Sequence, residues 1–573
     1  MPLTSKQSLL YFVLLFVIVV PLFWVGLANH GLWTADEPRV AEIGREMALS
    51  GNWAVPTLNQ KPFLEQPPLY YASLAAVFRV FGGPSDTIVR IPSTVFALGG
   101  VAALFFLGNL LFGPRTGFIS ALAMATCGEY FRVAHWVIVD SALTCFVVLS
   151  LDFFMIAYLS DNRRKRFIFY GLCYICCTLG FYTKGFIGVV IPGIAILAFL
   201  IFDGNARHML KMHLWLGFLI FLTMTIPWFL SLWHQGSSEY LRVFFVHNHL
   251  ERFAGGSTGH RQPFYYYLIQ FPVAFLPWSV LAAPALYRSL RRSDREKGRA
   301  GKGILLMLCW FLAGFIFLST ASTKRALYLM PVFAPISLLI AVYIDAAIKG
   351  TVFEKWEKVF ICSFGILPLL AGIAVVPGLV VASKKLGFYI PPRILVLTIS
   401  FAVVAIVFSV TALWNHRSDM LKFWGFSSAA ILSLLFLGLI AAMPILDQFK
   451  SFVPFCQAVK GSVSSSDELY VWRPDETVLG AIPFYTGHFL KEIDSIPQLT
   501  GALERKKTVF VIVRDKNGKM EAELLSTGKM TVLFRQAMGT DRSLAILQSK
   551  RDGTARTTAL PAEGEIEQPV VIE

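Results

Sequence analysis

Residues 137–159 read VIVDSALTCFVVLSLDFFMIAYL, with Asp140 near the head and Asp152 the one charge deep inside. A membrane-spanning helix needs about 20 predominantly apolar residues, so this stretch reads as a span entered at Asp140. The same reading extends along the chain to 8–27, 88–112, 116–134, 166–183, 185–203, 212–233, 265–289, 303–320, 326–347, 357–381, 393–414 and 421–443. A polytopic α-helical membrane protein with about 13 transmembrane helices is expected. The division at Lys184 is the tightest cut, and twelve and fourteen are the neighbouring counts.

Composition agrees. Of 573 residues 55% are hydrophobic and 15% charged, against ~25% charged in soluble domains, and mean hydropathy is +0.61. Soluble, disordered, fibrous and disulfide-scaffold classes are excluded. The net charge of +15 falls largely in alternate loops, so it reports membrane orientation rather than nucleic acid. Of the eight cysteines, Cys173-x-x-Cys176-Cys177 lacks a second pair and sits in an apolar run, and reads as inert buried thiols.

With the N-terminus inside, the inner loops hold Arg115, Arg163-Arg164-Lys165-Arg166, Arg207 with Lys211, Arg288 with Arg291, Arg292 and Arg295, Lys355 with Lys358, and Arg417 with Lys422. Loop 381–393 breaks the pattern with Lys384, Lys385 and Arg393. The first span lacks a small-residue cleavage site and reads as a retained anchor. Loops 28–87 and 234–264 then lie outside. The former has a helical pattern at Glu37–Leu49 and an apolar run, Pro68–Phe81, too short to span. Residues 1–449 form the membrane domain. Residues 450–550 are expected to form a small α/β extracytoplasmic domain, with β-rich runs at Glu468–Trp472, Val509–Val513, Met530–Phe534 and Leu544–Gln548. Residues 551–573 read as a flexible tail.

A charge within a bilayer is costly and marks function. Here the membrane-proximal charges collect at the outer ends of the spans: Asp36, Glu37, Arg39, Glu65, Glu129, Arg132, Asp140, Lys184, Glu251, Arg252, Arg261, Lys324 and Arg325, with His247, His249 and His260 among them. An ion-coupled carrier would need them at the midplane. Acids and bases gathered at one outer face suit chemistry on a lipid-linked anion. Each motif also has a plainer reading. Thr34 capping a helix, with Pro38 in its first turn, accounts for Asp36-Glu37-Pro38 but not for Arg39. A proline turn and an aromatic belt account for Pro67-Pro68-Leu69-Tyr70-Tyr71, with Glu65 solvated. His247-x-His249-x-Glu251 is a polar loop or a metal spacing. Lys184 and Lys324-Arg325 are headgroup contacts or a phosphate clamp.

In order and spacing, a series of elements resembles the bacterial 4-amino-4-deoxy-L-arabinose lipid A transferases. They are Trp33 with Asp36-Glu37-Pro38-Arg39, Gly51-x-Trp53 with Pro56, Glu65 with Pro67-Pro68-Leu69-Tyr70-Tyr71, Asp140, Lys184-Gly185, Glu251-Arg252-Phe253, Pro263-Phe264-Tyr265-Tyr266, Pro277-Trp278, and Lys324-Arg325 with Tyr328 and Pro331. The chain also resembles, more distantly, the dolichyl-phosphate-mannose-protein mannosyltransferases. The resemblance covers about residues 25–335 and implies a membrane glycosyltransferase of the GT-C fold in the bacterial inner membrane, its site facing the periplasm. It implies a polyprenyl (undecaprenyl) phosphate sugar donor and an acceptor that is a lipid A-type glycolipid, another glycan or a protein. It further implies that Asp36 is the catalytic carboxylate with Arg39 as its partner, and that Glu37, Tyr70, Asp140, Lys184, Lys324, Arg325 and Tyr328 bind substrate. Glu65 and His260 would hold a divalent metal (zinc, magnesium or manganese) where one is used. Gln66 and Phe63 depart from the pattern, since lipid A-modifying members usually carry Lys and an aromatic hydroxyl there. Recognition of the acceptor is expected to differ accordingly.

The expected reaction is a single inverting displacement of a pentosyl or hexosyl group. The carrier phosphate leaves as an anion stabilised by Lys184, Lys324 and Arg325. Asp36 takes the proton of a hydroxyl acceptor; toward a phosphate acceptor, already anionic, it orients the nucleophile or stabilises oxocarbenium character. The alternative is a lipid or drug transporter, against which the gathered outer charges and the soluble C-terminal domain count.

Overall fold

The computed structural model describes residues 6–33, 36–251, 261–293, 298–351, 353–464, 467–506, 508–539 and 542–550, the side chains of 249, 250, 292 and 293 excepted. It falls into two compact units, Met1–Ser451 and Phe452–Glu573.

The first unit opens with α1 (Lys6–Trp24), α2 (Asp36–Ser50), a two-stranded ribbon of β1 (Thr57–Leu58) and β2 (Lys61–Pro62), and α3 (Leu69–Val80). There follow α4 (Ile91–Phe112), α5 (Pro114–Ala125), α6 (Gly128–Ala134), α7 (Asp140–Tyr158), α8 (Arg163–Lys184), α9 (Ile187–Phe202) and α10 (Leu214–Arg242). Among the described residues ten helices are long and apolar enough to cross a membrane, and the pair Tyr266–Ala274 with Trp278–Arg291, bent by 115°, makes an eleventh if it is one span. These cover eleven of the thirteen expected stretches. The other two are shorter. Residues 116–134 break into α5 and α6, because the Gly128 amide donates to the Leu276 carbonyl at 2.8 Å and Thr126 accepts from the Trp278 indole at 2.9 Å. The stretch 185–203 becomes α9, 16 residues, about 24 Å at ~1.5 Å per residue.

Helix 326–348 runs through the centre, with 94% of its apolar window buried, while α10 lies at the edge with 11% buried. Lipid gives no hydrophobic reason for helices to associate, so close packing of small residues does it. Gly188 of α9 lies against Gly180 of α8, where a Cβ would fall 2.1 Å from a backbone carbon. Gly185, at φ +71° and ψ −149°, ends α8 at Lys184 in a region open essentially to glycine alone.

Residues 234–264, expected as a polar loop, are helical for half their length. The helix continues past a break at Gly236 and Ser237 to Arg242, and a π-helical turn covers Val243–Glu251. Phe244 buries against Phe181, Trp228 and Leu232, and this apolar contact overrides the polar composition. All eight cysteines are free and six are buried.

The second unit carries a five-stranded mixed sheet in the order β4-β3-β5-β7-β6, from β3 (Leu469–Trp472), β4 (Leu490–Ile493), β5 (Phe510–Lys516), β6 (Met530–Met538) and β7 (Arg542–Ser549). β3 is parallel to β4 and β5, and β7 is antiparallel to β5 and β6. Helices leave one apolar cluster around Phe455, Val471 and Ile546 and another around Trp472, Val511 and Leu547. The sequence reading passed over β4, whose four residues include Lys491 and Glu492. The tail 551–573 lies outside the described residues.

Candidate active site

Asp36 and Glu37 open α2, where the helix dipole favours acids and Pro38 fits the first turn. Thr34, the expected cap, lies outside the described residues. The two acids face different ways. Glu37 is fully buried. It pairs with Arg90 at 3.2 Å and accepts from the backbone amides of Trp33 at 2.9 Å and Val137 at 3.1 Å. Arg90, also fully buried, donates to the carbonyls of Leu27, His30, Gly31 and Asp86. Glu37 is therefore a tie within the fold rather than a substrate contact. Asp447 adds a second tie, accepting from the Trp33 indole at 2.7 Å and from the Gly31 amide at 3.0 Å.

Asp36 turns its carboxylate into a charged cluster. Arg39 Nη2 donates to its Oδ1 at 2.9 Å and Arg325 Nη2 to its Oδ2 at 2.5 Å. Arg39 Nη1 also pairs with Glu65 at 3.2 Å. Asp140, heading α7, accepts from Lys184 Nζ at 2.5 Å, at the end of antiparallel α8, and the same ammonium stands 4.1 Å over the Tyr328 ring. Lys184 is near enough for its charge to act on Asp36, and Arg325 near enough to act on Asp140. Asp36, Arg39, Glu65, Asp140, Lys184, Arg325 and Tyr328 thus stand together at one end of the bundle. Burial pushes the Asp36 carboxyl up, but the Arg325 hydrogen bond and the charges of Arg325, Arg39 and Lys184 outweigh it and hold the group below its ordinary pKa. Asp36 is an anion at neutral pH.

Three expected residues stand apart from the cluster. Glu37 is the buried tie just described. Lys324 Nζ donates to the carbonyls of Gln262, at 2.9 Å, and Ala321, fastening residues 261–262 beside 321–324. The Tyr70 hydroxyl shares a hydrogen bond with Ser93 in the interior. Among described residues the segment 234–264 adds no charge to the cluster: His247 pairs with Glu251 at 2.6 Å on an exposed face. Arg252 and His260 lie outside the described residues. No three His, Cys, Asp or Glu side chains among the described residues gather in a way that could hold an ion, and Glu65 faces Arg39. Among the described residues there is thus no metal cage around Glu65. Gln66 keeps a buried Oε1 without a hydrogen-bond partner.

Arg90 is the residue that the sequence reading missed. It lies within the apolar stretch 88–112, and an arginine at the head of a span is itself a signal.

The profile of the dolichyl-phosphate-mannose-protein mannosyltransferase family matches residues 65–231. The undecaprenyl phosphate-alpha-4-amino-4-deoxy-L-arabinose arabinosyl transferase of Shewanella sediminis is 30% identical over 405 residues, 70% of this chain and 72% of that one. The protein of the same name from Pseudomonas aeruginosa PAO1 is 33% identical over 57% of this chain and 58% of its own. Among solved structures, ArnT from Cupriavidus metallidurans bound to undecaprenyl phosphate superposes with a TM-score of 0.74 at 20% identity, over 95% of this chain and 98% of that one. The oligosaccharyltransferase of Archaeoglobus fulgidus does so with 0.50 at 12% identity, over 90% and 70%. At these identities the structures speak for a shared GT-C fold.

Proposed function

The chain belongs to the undecaprenyl phosphate-alpha-4-amino-4-deoxy-L-arabinose arabinosyl transferase family, and from that premise we propose how its charged cluster transfers a sugar. The protein is a multi-pass membrane glycosyltransferase. It moves 4-amino-4-deoxy-L-arabinose from undecaprenyl phosphate to a phosphate of a lipid A-type glycolipid, at the periplasmic face of the bacterial inner membrane. One observation carries this reading: the Asp36 carboxylate is held between Arg39 and Arg325 beside the Lys184–Asp140 pair.

The donor phosphodiester displaces carboxylates from Arg325 and Lys184, whose fork and ammonium both suit phosphate. The acceptor phosphate oxygen attacks the anomeric carbon from the opposite side. The new C–O bond forms from its lone pair, the bond to the carrier phosphate breaks, and that electron pair leaves as the monoester dianion. Lys184 and Arg325 neutralise the charge that develops there, which is often the largest catalytic contribution. An anionic acceptor has no proton to give up, so the depressed pKa of Asp36 is no handicap. Its carboxylate faces the positive charge that grows on the sugar ring, and Arg39 fixes its orientation. One displacement inverts the anomeric centre.

Gln66, in place of a lysine, favours a second reading for the acceptor alone: another envelope glycan or a protein. The test is turnover by purified protein in detergent with synthetic donor, offering lipid A and glycan or peptide acceptors separately and reading products by mass spectrometry. Free carrier phosphate with glycosylated lipid A supports the first reading. Product on another acceptor alone supports the second. A transporter would release no carrier phosphate in any arm.

A further inference from the structure

At the end of the bundle opposite the Asp36 cluster, α7 finishes at Tyr158, α8 begins at Arg163, and the 3₁₀ turn Ala206–Lys211 joins α9 to α10. Beside that turn a cavity of about 360 Å³ opens between α8, α9 and α10, within the ~300–1,000 Å³ range of ligand pockets. Cys173, Tyr174, Ile196, Leu200, Met212 and Phe218 are among its lining. The Tyr174 hydroxyl donates to the Met212 carbonyl at 2.7 Å, so little in the lining calls for water, and cavities of this kind stay dry. Lipid tails are as apolar as these walls. The cavity therefore admits an acyl chain without choosing which lipid brings it.

Selection lies with two basic residues on the elements that wall the cavity, both close enough to His208 for their charges to act on it. Arg166, on the first turn of α8, has a buried Nε without a hydrogen-bond partner and is in no ion pair among the described residues. Lys211 ends the 3₁₀ turn, exposed and likewise unpaired among the described residues. The nearby carboxylate, Asp203, is engaged by Lys302 at 3.8 Å and by the Tyr158 hydroxyl. His208, held to Tyr170 at 2.7 Å, stays neutral, its pKa lowered to about 4 by burial and by the charges of Lys211, Arg166 and Lys302. The positive-inside rule accounts for basic residues here. It does not account for a buried guanidinium nitrogen left without an acceptor on the helix that walls an apolar slot.

We infer that this cavity binds an anionic phospholipid of the leaflet opposite the Asp36 cluster, its phosphodiester between Arg166 and Lys211 and one acyl chain between α8 and α10. Basic pockets between membrane helices recognise lipid headgroups in this way, and a guanidinium with an ammonium matches a phosphodiester.

The test is native mass spectrometry of purified protein with dioleoylphosphatidylglycerol, dioleoylphosphatidylcholine and undecaprenyl phosphate in separate arms. Wild type should retain phosphatidylglycerol on the order of tenfold over phosphatidylcholine, whose choline ammonium cancels the phosphate charge that the two basic residues attract. The pair Arg166→Gln with Lys211→Gln should remove that preference. Gly193 lines the cavity, and a Cβ there meets nothing within 4 Å, so Gly193→Leu should fill the slot and lower phosphatidylglycerol retention with both basic residues in place. Equal retention of the two phospholipids by wild type overturns the inference even where a variant fails to fold. Phosphatidylglycerol retention unchanged in both folded variants overturns it too. Retention of undecaprenyl phosphate above phosphatidylglycerol, lost in Gly193→Leu, would give the cavity to the carrier and contradict the choice of ligand.

Discussion

Arg325 reaches Asp36 across 289 positions of sequence, its Nη2 standing 2.5 Å from Oδ2. The contact joins the loop after the first span to the turn before helix 326–348. With Arg39 on the other oxygen, it fixes the charge state and the direction of the carboxylate. A donor phosphate arriving at Arg325 competes for that contact, so donor binding and the release of Asp36 toward the sugar are one event.

This has a consequence for pH. Asp36 titrates below its ordinary value of 3.8. A carboxyl depressed on folding contributes stability above its unfolded pKa and loses it as pH falls through the folded value. The thermal stability gap between wild type and Asp36→Asn should be widest near neutrality and close below about pH 4. A gap that stays constant down to about pH 3 would contradict the depressed pKa.

Lys184 and Asp140 form a nearly enclosed pair. Removing one partner of such a pair leaves an uncompensated charge and costs ~3–5 kcal/mol. Lys184→Met should destabilise by that order, and adding Asp140→Asn should restore most of the stability. Transfer should stay lost in the double variant, because the phosphate contact is gone. Denaturation and single-turnover assays on the three variants separate structure from chemistry. Recovery of activity together with stability would show Lys184 to be structural only.

Arg90 and Glu37 hold the segment that aims Asp36. Arg90→Met strands Glu37 and the carbonyls of Leu27, His30, Gly31 and Asp86, and should cost ~3–5 kcal/mol. Arg90→Lys should rescue poorly, since an ammonium cannot reproduce the fork. Full stability of Arg90→Lys in urea unfolding would argue against the geometry.

Much of this was legible in the sequence, for particular reasons. Residues 137–159 announce α7 by apolar length, and Glu37–Leu49 announces α2 by helical period. The motif series around Asp36, Asp140, Lys184 and Arg325 brought together residues that the fold places in contact. What stayed hidden depends on partners far along the chain. Nothing local says that Glu37 faces inward and Asp36 outward; Arg90, 53 positions later, decides it. Nothing local says that Lys324 bonds carbonyls while Arg325 reaches a carboxylate. The break between α5 and α6 depends on Leu276 and Trp278, and the helical run past residue 234 depends on Phe244 meeting α8 and α10.

The two neighbours Lys324 and Arg325 should therefore part in kinetics. Arg325→Gln should raise the donor KM and lower kcat, with a loss on the order of 10²–10³ as for removal of one developing-charge contact. Lys324→Gln should leave the donor KM within a few-fold and act mainly on thermal stability. A larger donor KM effect from Lys324 than from Arg325 would mean that the carbonyl contacts of Lys324 give way when donor binds.

The central claim is that the Asp36 anion takes part in transfer. It is tested most directly by single-turnover transfer from synthetic polyprenyl-phosphate sugar, comparing wild type with Asp36→Asn under thermal-stability control. Asn caps a helix about as well as Asp, so a purely structural role would survive the change. The account predicts a fall of ~10²–10⁴ in the transfer rate, with donor affinity held or tightened because Arg39 and Arg325 lose their carboxylate. A rate within a few-fold of wild type, in a protein of normal stability, would contradict it.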